Sequence, residues 1–406
     1  MDHKSEDMDT LNIYPIDVLS WDEAYAKADK LVSQLTLDQI VSISQGKGLL
    51  LGKCTGVSGS TTDPDLPGLC LSDGPLGVRA SPYASVFPAG INAAASFDKE
   101  AIHQRGLDMG AEFRGKGANV QLGPAMNIAR VPNAGRNWEG SEELIECRNK
   151  IAAAKHFITN DQETNRMLHS TEVDDRTLHE IYLWPFARSV EAGAGTIMCS
   201  YNKINGTYAC ENDHTLNQIL KGELGFRGFV QVTGWPPIPP RKQPGGFLYF
   251  GSALKRAVKH GHVDIKRVED MTRRIVATWY KLVLLRNQKN TLPIQPSVVK
   301  TIAVIGEDAQ RDPNRKNNTS CSPLSKYDDG TLIQGGGSGS SNIPYVIAKS
   351  SIQVTSHLKN GQVDKAASIA KDADVAIVFA HKYAAESSDL SNLDLDDDAN
   401  KLVRHS

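Results

Sequence analysis

The feature that most constrains this chain is a repeated alternation of short β-type runs with amphipathic helical stretches. Strands are expected at Asn119–Leu122, Thr196–Ser200, Phe229–Val232, Ile302–Ile305 and Val375–Phe379. Helices are expected at Glu100–Phe113, Asp175–Ala192, Asp213–Leu224, Gly251–His260 and Val268–Lys281. Strands that alternate with helices of this length need crossover connections, so the pattern predicts parallel sheet and an α/β class. Two helix starts precede it: Ser20 with Glu23 and Thr36 with Gln39 have the capping-box spacing, followed by apolar periodicity through Leu31, Val32, Leu35, Ile40 and Ile43.

Length and punctuation divide the chain. At roughly 150 residues per domain, 406 residues predict two or three domains. A break falls near residues 283–300, where Pro293 and Pro296 precede a new strand over Thr301–Gly306. This gives an N-terminal extension at 1–16, a first domain at 17–282, a linker at 283–300 and a second domain at 301–406. Two stretches depart from the pattern. Pro236–Pro244 holds five prolines in nine residues directly after a buried-type strand, and residues 311–341 are polar and rich in Gly and Ser.

Composition excludes several classes. With 45 Lys+Arg against 47 Asp+Glu the formal net charge is −2, so the electrostatic drive of a nucleic-acid binder is missing. No apolar run approaches the ~18 residues of a membrane helix, so no membrane partner is expected. Gly335–Gly339 lacks the Lys-Ser/Thr that follows in a phosphate loop, and Ile302–Asp308 lacks the GxGxxG of a dinucleotide site. No cofactor is expected. Nor is a metal: the six cysteines, Cys54, Cys70, Cys147, Cys199, Cys210 and Cys321, form no CxxC pair and have no His at metal spacing.

Cys54/Cys70 and Cys199/Cys210 each bracket a short loop containing Gly or Asn, which suits local disulfides; chance spacing explains them equally well. Glycosylation sequons at Asn205 and at Asn317–Ser320 lean toward a secreted protein, although the polar first fifteen residues show no signal peptide.

Polar clusters following apolar runs are the most informative motifs. Asp73 to Arg79, Gly135 to Glu139, and Lys155 with His156 each place charge beside glycine or aromatic residues. In a parallel α/β barrel the C-terminal strand ends carry the site. Paired cations, an acid and Trp138 are what a polyhydroxylated sugar needs: charged hydrogen-bonding groups for its hydroxyls and a flat apolar face for stacking. Taken singly, each cluster reads sooner as surface ion pairs and loop caps than as a site.

Taken together and in this order, the motifs resemble fungal β-glucosidases of glycoside hydrolase family 3. The carrying segments are Leu71–Arg79, Phe87–Asn92, Glu112–Gly117, Gly135–Gly140, Ala154–Ile158, Asp174–Glu180, Met198–Asn202 and Arg267–Tyr280, then Thr301–Ala309, Gly337–Gly339 and Asp374–Phe379. The resemblance implies an α/β architecture: a TIM-like barrel followed by an α/β sandwich, with the active site at their junction. It implies retaining hydrolysis of terminal non-reducing β-D-glucosyl residues, as in cellobiose, cello-oligosaccharides or aryl glucosides, by two carboxyl groups roughly 5 Å apart.

Carried over residue by residue, the resemblance gives Asp73 and Arg136 as hydroxyl ligands, with Arg79 in the same lining segments. Lys155, His156 and Arg166 become polar walls, Tyr201 the tyrosine beside the nucleophile, and Trp235 and Ser338 further binding positions. It also implies disulfides Cys54–Cys70 and Cys199–Cys210. Glu386, seven residues after Phe379, falls where the acid/base sits. The family's nucleophile is the Asp of a Ser/Thr-Asp-Trp motif that ends a barrel strand.

Here that motif reads Thr233-Gly234-Trp235, and glycine cannot attack an anomeric carbon. Pro236–Pro244 stands where a further barrel helix and strand would follow, Ser141–Lys150 stands in for a helix, and Gly336 replaces an aromatic of the outer subsite. The barrel is therefore expected to be incomplete and the sandwich to be represented by its N-terminal part. Losses at several junctions fit skipped exons with translated intron, or a degenerate pseudoenzyme. Hydrolysis by this chain is expected to be negligible; the alternatives are a glucoside-binding protein without catalysis and a non-functional fragment.

Overall fold

The computed structural model describes residues 19–45, 54–79, 81, 84–140, 151–232, 250–282 and 382–394. The expected strands Ile302–Ile305 and Val375–Phe379, all of the expected sandwich but 382–394, the extension, the linker and the segments 141–150 and 236–244 lie outside these residues.

Six strands build the sheet: β1 (Gly56–Val57), β2 (Cys70–Asp73), β3 (Val120–Leu122), β4 (Ile151–Phe157), β5 (Thr196–Cys199) and β6 (Phe229–Val232). Their spatial order follows their chain order; β1 runs antiparallel to β2 and every later pair is parallel. Sequential parallel order is how a (β/α) barrel winds, and the described strands form an incomplete, TIM-like part of one. The register sets Asp73 opposite Leu122, and Lys155 opposite Met198, so the polar ends of β2, β4 and β5 lie at one end of the sheet.

Local sequence explains the helices. In α1 (Trp21–Val32) and α2 (Leu37–Ser44) both capping boxes close as expected: the Glu23 and Gln39 amides donate to the Ser20 and Thr36 hydroxyls, and the acidic or amide side chain accepts from the cap backbone. Asp98 caps α3 (Lys99–Gly115), which covers the expected 100–113. The expected 175–192 is helical from Asp175 to Glu191, with a π-type stretch over Leu178–Leu183 before α4 (Trp184–Glu191). The expected 213–224 is also π-type, over His214–Glu223. Finally, α5 (Ser252–Lys259) leads into α6 (Ile265–Leu282).

β4 is buried along all seven residues, as a parallel strand covered on both faces must be. Phe157 at its end meets Phe186 of α4 edge to face at 5.1 Å. On the other flank α6 buries Val276 and Ala277 against Ala24, Tyr25, Ala28 and Leu31 of α1, which ties the last described barrel helix back to the first. Arg274 of α6 also donates to the carbonyls of Phe226 and Gly228, just before β6, at 3.4 and 3.3 Å.

Both disulfides form. Cys54–Cys70 joins the approach to β1 to the first residue of β2, and Cys199–Cys210 joins the end of β5 to the hairpin beyond it. That hairpin turns through Asn205 and Gly206, both at positive φ (47° and 83°), as a two-residue Asn-Gly turn requires.

Candidate active site

The site grows out of strand ends. β2 finishes at Asp73, whose backbone N–H donates to Thr55 Oγ1 at 3.0 Å. The chain then reverses through Gly74, where a Cβ would stand 2.1 Å from the Gly77 carbonyl oxygen and 2.4 Å from the Phe113 ring. Only glycine fits, and the reversal brings Arg79 back to Asp73, Nη1 to Oδ2 at 2.7 Å.

After β3, a loop delivers Arg136 and Glu139 on one short 3₁₀ turn (Asn137–Glu139). Arg136 donates to both Glu139 oxygens, from Nε at 2.8 Å and from Nη2 at 2.9 Å. This is the fork geometry that makes such pairs strong and orientationally fixed. β4 carries Lys155 and His156 just before its last residue, both buried; Lys155 Nζ lies 3.9 Å from Glu139 Oε2. One fully buried carboxylate thus serves two buried cations. The His156 backbone N–H is held by Asn127 Oδ1 at 3.0 Å.

Arg166 completes the polar wall. Its Nη1 donates to Glu163, its Nη2 reaches Glu386 Oε1 at 2.9 Å, and its guanidinium stacks 4.9 Å above the Tyr201 ring. Tyr201 itself is buried two residues beyond β5. Arg136 Nη1 also approaches Glu386 Oε1, at 3.7 Å. Glu386 belongs to the segment 382–394, whose Ala384 packs on Leu76, Ala89 and Trp138.

The cations Arg79, Arg136, Lys155 and Arg166 are therefore interleaved with the carboxylates Asp73, Glu139, Glu163 and Glu386. Burial works against the charge of Arg136, but Glu139 and Glu386 outweigh it and hold the guanidinium well above its ordinary pKa. Burial lowers Lys155, with Glu139 opposing. His156 is pushed well below the usual histidine range, first by burial and then by Arg136 and Lys155, which keeps its ring neutral. Burial raises Glu163 against its two arginines. Beside this cluster lies a small recess lined by Asn127, Arg136, Glu139, His156, Asn160 and Glu163 among others. Fixed donors and acceptors of both signs, desolvated and rigid, can discriminate the hydroxyl pattern of a sugar.

The expected residues Asp73, Arg79, Arg136, Lys155, His156, Arg166, Tyr201 and Glu386 come together here. Gly234, Trp235 and Ser338 lie outside the described residues. Trp138 corrects the expectation of a stacking face: it is buried against Leu76 and Ala89 and supports the loop from beneath. The charged motifs are buried pairs, not the surface ion pairs that each alone would sooner have been. Glu163 is no part of the sequence motifs, and Glu139, which ends one of them, has no assigned role there. Each sits three residues from the arginine it pairs with, a spacing that could have flagged them. Among the described residues no group of three His, Cys, Asp or Glu side chains is placed to hold a metal ion, and no helix is long and apolar enough to cross a membrane.

Two family models match. The glycosyl hydrolase family 3 N terminal domain covers residues 65–238, and the glycosyl hydrolase family 3 C-terminal domain covers residues 282–406. A probable beta-glucosidase L of Emericella nidulans is 38% identical over 403 residues, covering 82% of this chain and 54% of the relative. The solved beta-glucosidase D2-BGL of Chaetomella raphigera is 31% identical with a TM-score of 0.75, covering 96% of this chain and 66% of that one. The beta-glucosidase 3B of Thermotoga neapolitana, solved in complex with alpha-D-glucose, is 30% identical with a TM-score of 0.59, over 63% of this chain and 42% of that one. The chain spans about half the length of the curated relatives it matches.

Proposed function

The chain belongs to glycosyl hydrolase family 3, and from that premise we propose that its site binds the terminal β-D-glucosyl residue of a small β-glucoside but hydrolyses it far more slowly than a two-carboxylate site. In this reading Asp73, Arg136, Lys155 and His156 take the sugar hydroxyls. Arg79 orients Asp73, while Arg166 and Tyr201 wall the pocket. Trp235 and Ser338 are further substrate-binding positions in this reading. The barrel domain is 17–282 and the sandwich 301–406, joined by a linker at 283–300. Two disulfides among the described residues support an oxidising, extracellular compartment.

One observation carries the reading: Glu386 is held by Arg166 and Arg136 over the strand ends, while the residue two positions past β6 is Gly234. Retaining hydrolysis needs a nucleophile that forms a glycosyl-enzyme bond and an acid that protonates the leaving oxygen. In this reading Glu386 supplies the proton. Nothing at position 234 can supply the bond, so the expected loss is several orders of magnitude in rate, on the order of 10³ or more.

Turnover of 4-nitrophenyl β-D-glucoside tests this. The expected release stays near the uncatalysed background and is unchanged by Glu386→Gln. Turnover comparable to two-carboxylate family members would overturn the reading.

A further inference from the structure

The segment that carries Glu386 comes from far along the chain, and something must seat it on the barrel. Asp389, three residues on, is placed to do so. Its Oδ1 accepts the backbone N–H groups of Gly135 at 3.1 Å and Glu163 at 2.8 Å, and its Oδ2 accepts that of Thr164 at 2.8 Å. One carboxylate thus gathers three backbone donors from two loops: the loop of Arg136 and the loop of Arg166. Those are the two arginines that meet Glu386.

The neighbouring contacts agree. Leu390 N donates to Asn133 O at 2.7 Å, and Asn133 Nδ2 returns a bond to Leu390 O at 3.0 Å. Ser387 N donates to Glu163 Oε2 at 2.7 Å. At Gly135 a Cβ would stand 1.9 Å from the Ser388 carbonyl oxygen and 2.2 Å from that of Ala385, so the barrel side of the joint tolerates no side chain.

We propose that Asp389 is a positioning residue: it clamps the 382–394 segment onto the two arginine-bearing loops and thereby sets Glu386 in the site. Elsewhere in the segment Leu390 pairs with Asn133 on one loop, Ser387 with Glu163 on the other, and Ala384 packs on Leu76, Ala89 and Trp138; Asp389 joins the backbones of both loops, whose arginines then converge on Glu386. A carboxylate suits the position because both oxygens face N–H groups. In Asp389→Asn one oxygen becomes an amide NH₂ and opposes a donor with a donor, although the shape is unchanged. The assignment of Glu386 to glucoside chemistry rests on the function proposed above, whereas the clamp itself does not.

The test uses the full chain with Asp389→Asn, Gly135→Ala and Glu386→Gln, each checked for native circular dichroism. Amide hydrogen exchange at Gly135, Glu163 and Thr164 reads the clamp directly. Asp389→Asn and Gly135→Ala are expected to speed exchange there by about tenfold or more while β4 stays protected. Affinity for a protonated iminosugar analogue of glucose reads the position of Glu386. Asp389→Asn is expected to weaken it about as much as Glu386→Gln does, and combining the two is expected to add nothing further, the signature of residues acting through one group. Unchanged exchange at the three amides overturns the clamp. An iminosugar affinity that falls in Glu386→Gln and is untouched in Asp389→Asn overturns the positioning role. If the parent chain binds no iminosugar, the glucoside reading fails and the exchange result alone decides the clamp. Should Asp389→Asn not fold, Gly135→Ala carries both measurements from the barrel side.

Discussion

The ends of β2 to β4 and the end of β6 lie at the same end of one sheet, yet they are finished differently. Around β4 the charges of the cluster are paired: Glu139 with Arg136 and Lys155, Glu163 and Glu386 with Arg166, and Asp73 with Arg79. At β6, Gln231 buries an amide whose nitrogen and oxygen both lack partners among the described residues, and the sequence then runs Thr233-Gly234-Trp235. The groups that would hold a sugar and the group that would attack it ride on different strands. On the proposed reading, a family member could keep the paired charges of a binding wall while the strand that would carry the nucleophile is followed by glycine.

The largest expected break of this contrast is at Glu139. Glu139→Gln leaves Arg136 and Lys155 buried without their shared counter-charge, a change that costs about 3–5 kcal/mol when one partner of a buried pair is removed. Chemical denaturation should show it, together with loss of glucose-dependent thermal stabilisation. At β6 the sign reverses. Gln231→Leu removes two buried polar atoms that have no partner among the described residues and should stabilise the chain by about 1 kcal/mol in the same assay.

A smaller, pH-dependent effect belongs to Asp161, on the rim of the recess, which burial pushes up to about 6 from 3.8. The fold binds a proton there that the unfolded chain has released, so this group's contribution to stability is full below 3.8 and is lost as pH rises through about 6. Asp161→Asn should melt with the parent chain near pH 4 and above it near pH 7; equal melting shifts at both would contradict the assignment. Smallest of all is the expected gain from Gly234→Asp. Aryl glucoside turnover should rise little, because a nucleophile acts only when held at its near-attack position. A return to full family rates would show that β6 is already built for catalysis.

The fold was legible where it depends on local chemistry. The capping boxes at Ser20 and Thr36 and the strand at Phe229–Val232 follow from residues that are neighbours in sequence, and they form where expected. The π-type turns within 178–183 and 214–223 were not, because the 3.6-residue apolar period that signals a helix does not resolve a one-residue change in hydrogen-bond register. In the site, Arg136 and Lys155 stood out as charges after apolar runs. What they pair with was hidden: the Arg166–Glu386 bond spans 220 positions and the Asp389–Glu163 bond 226, and no local pattern encodes such distances. Trp138 misled for the opposite reason, since an aromatic beside charges reads the same in sequence whether it faces a sugar or a core.

On the proposed reading this site holds a glucoside and cleaves it no faster than the uncatalysed background. Equilibrium titration with an aryl β-D-glucoside, followed by recovery of the ligand from the saturated complex, tests it most directly. One saturable site, lost in Lys155→Met, with the glucoside recovered intact is the expected result. Recovery as free glucose and phenol, or no saturation at all, would contradict it.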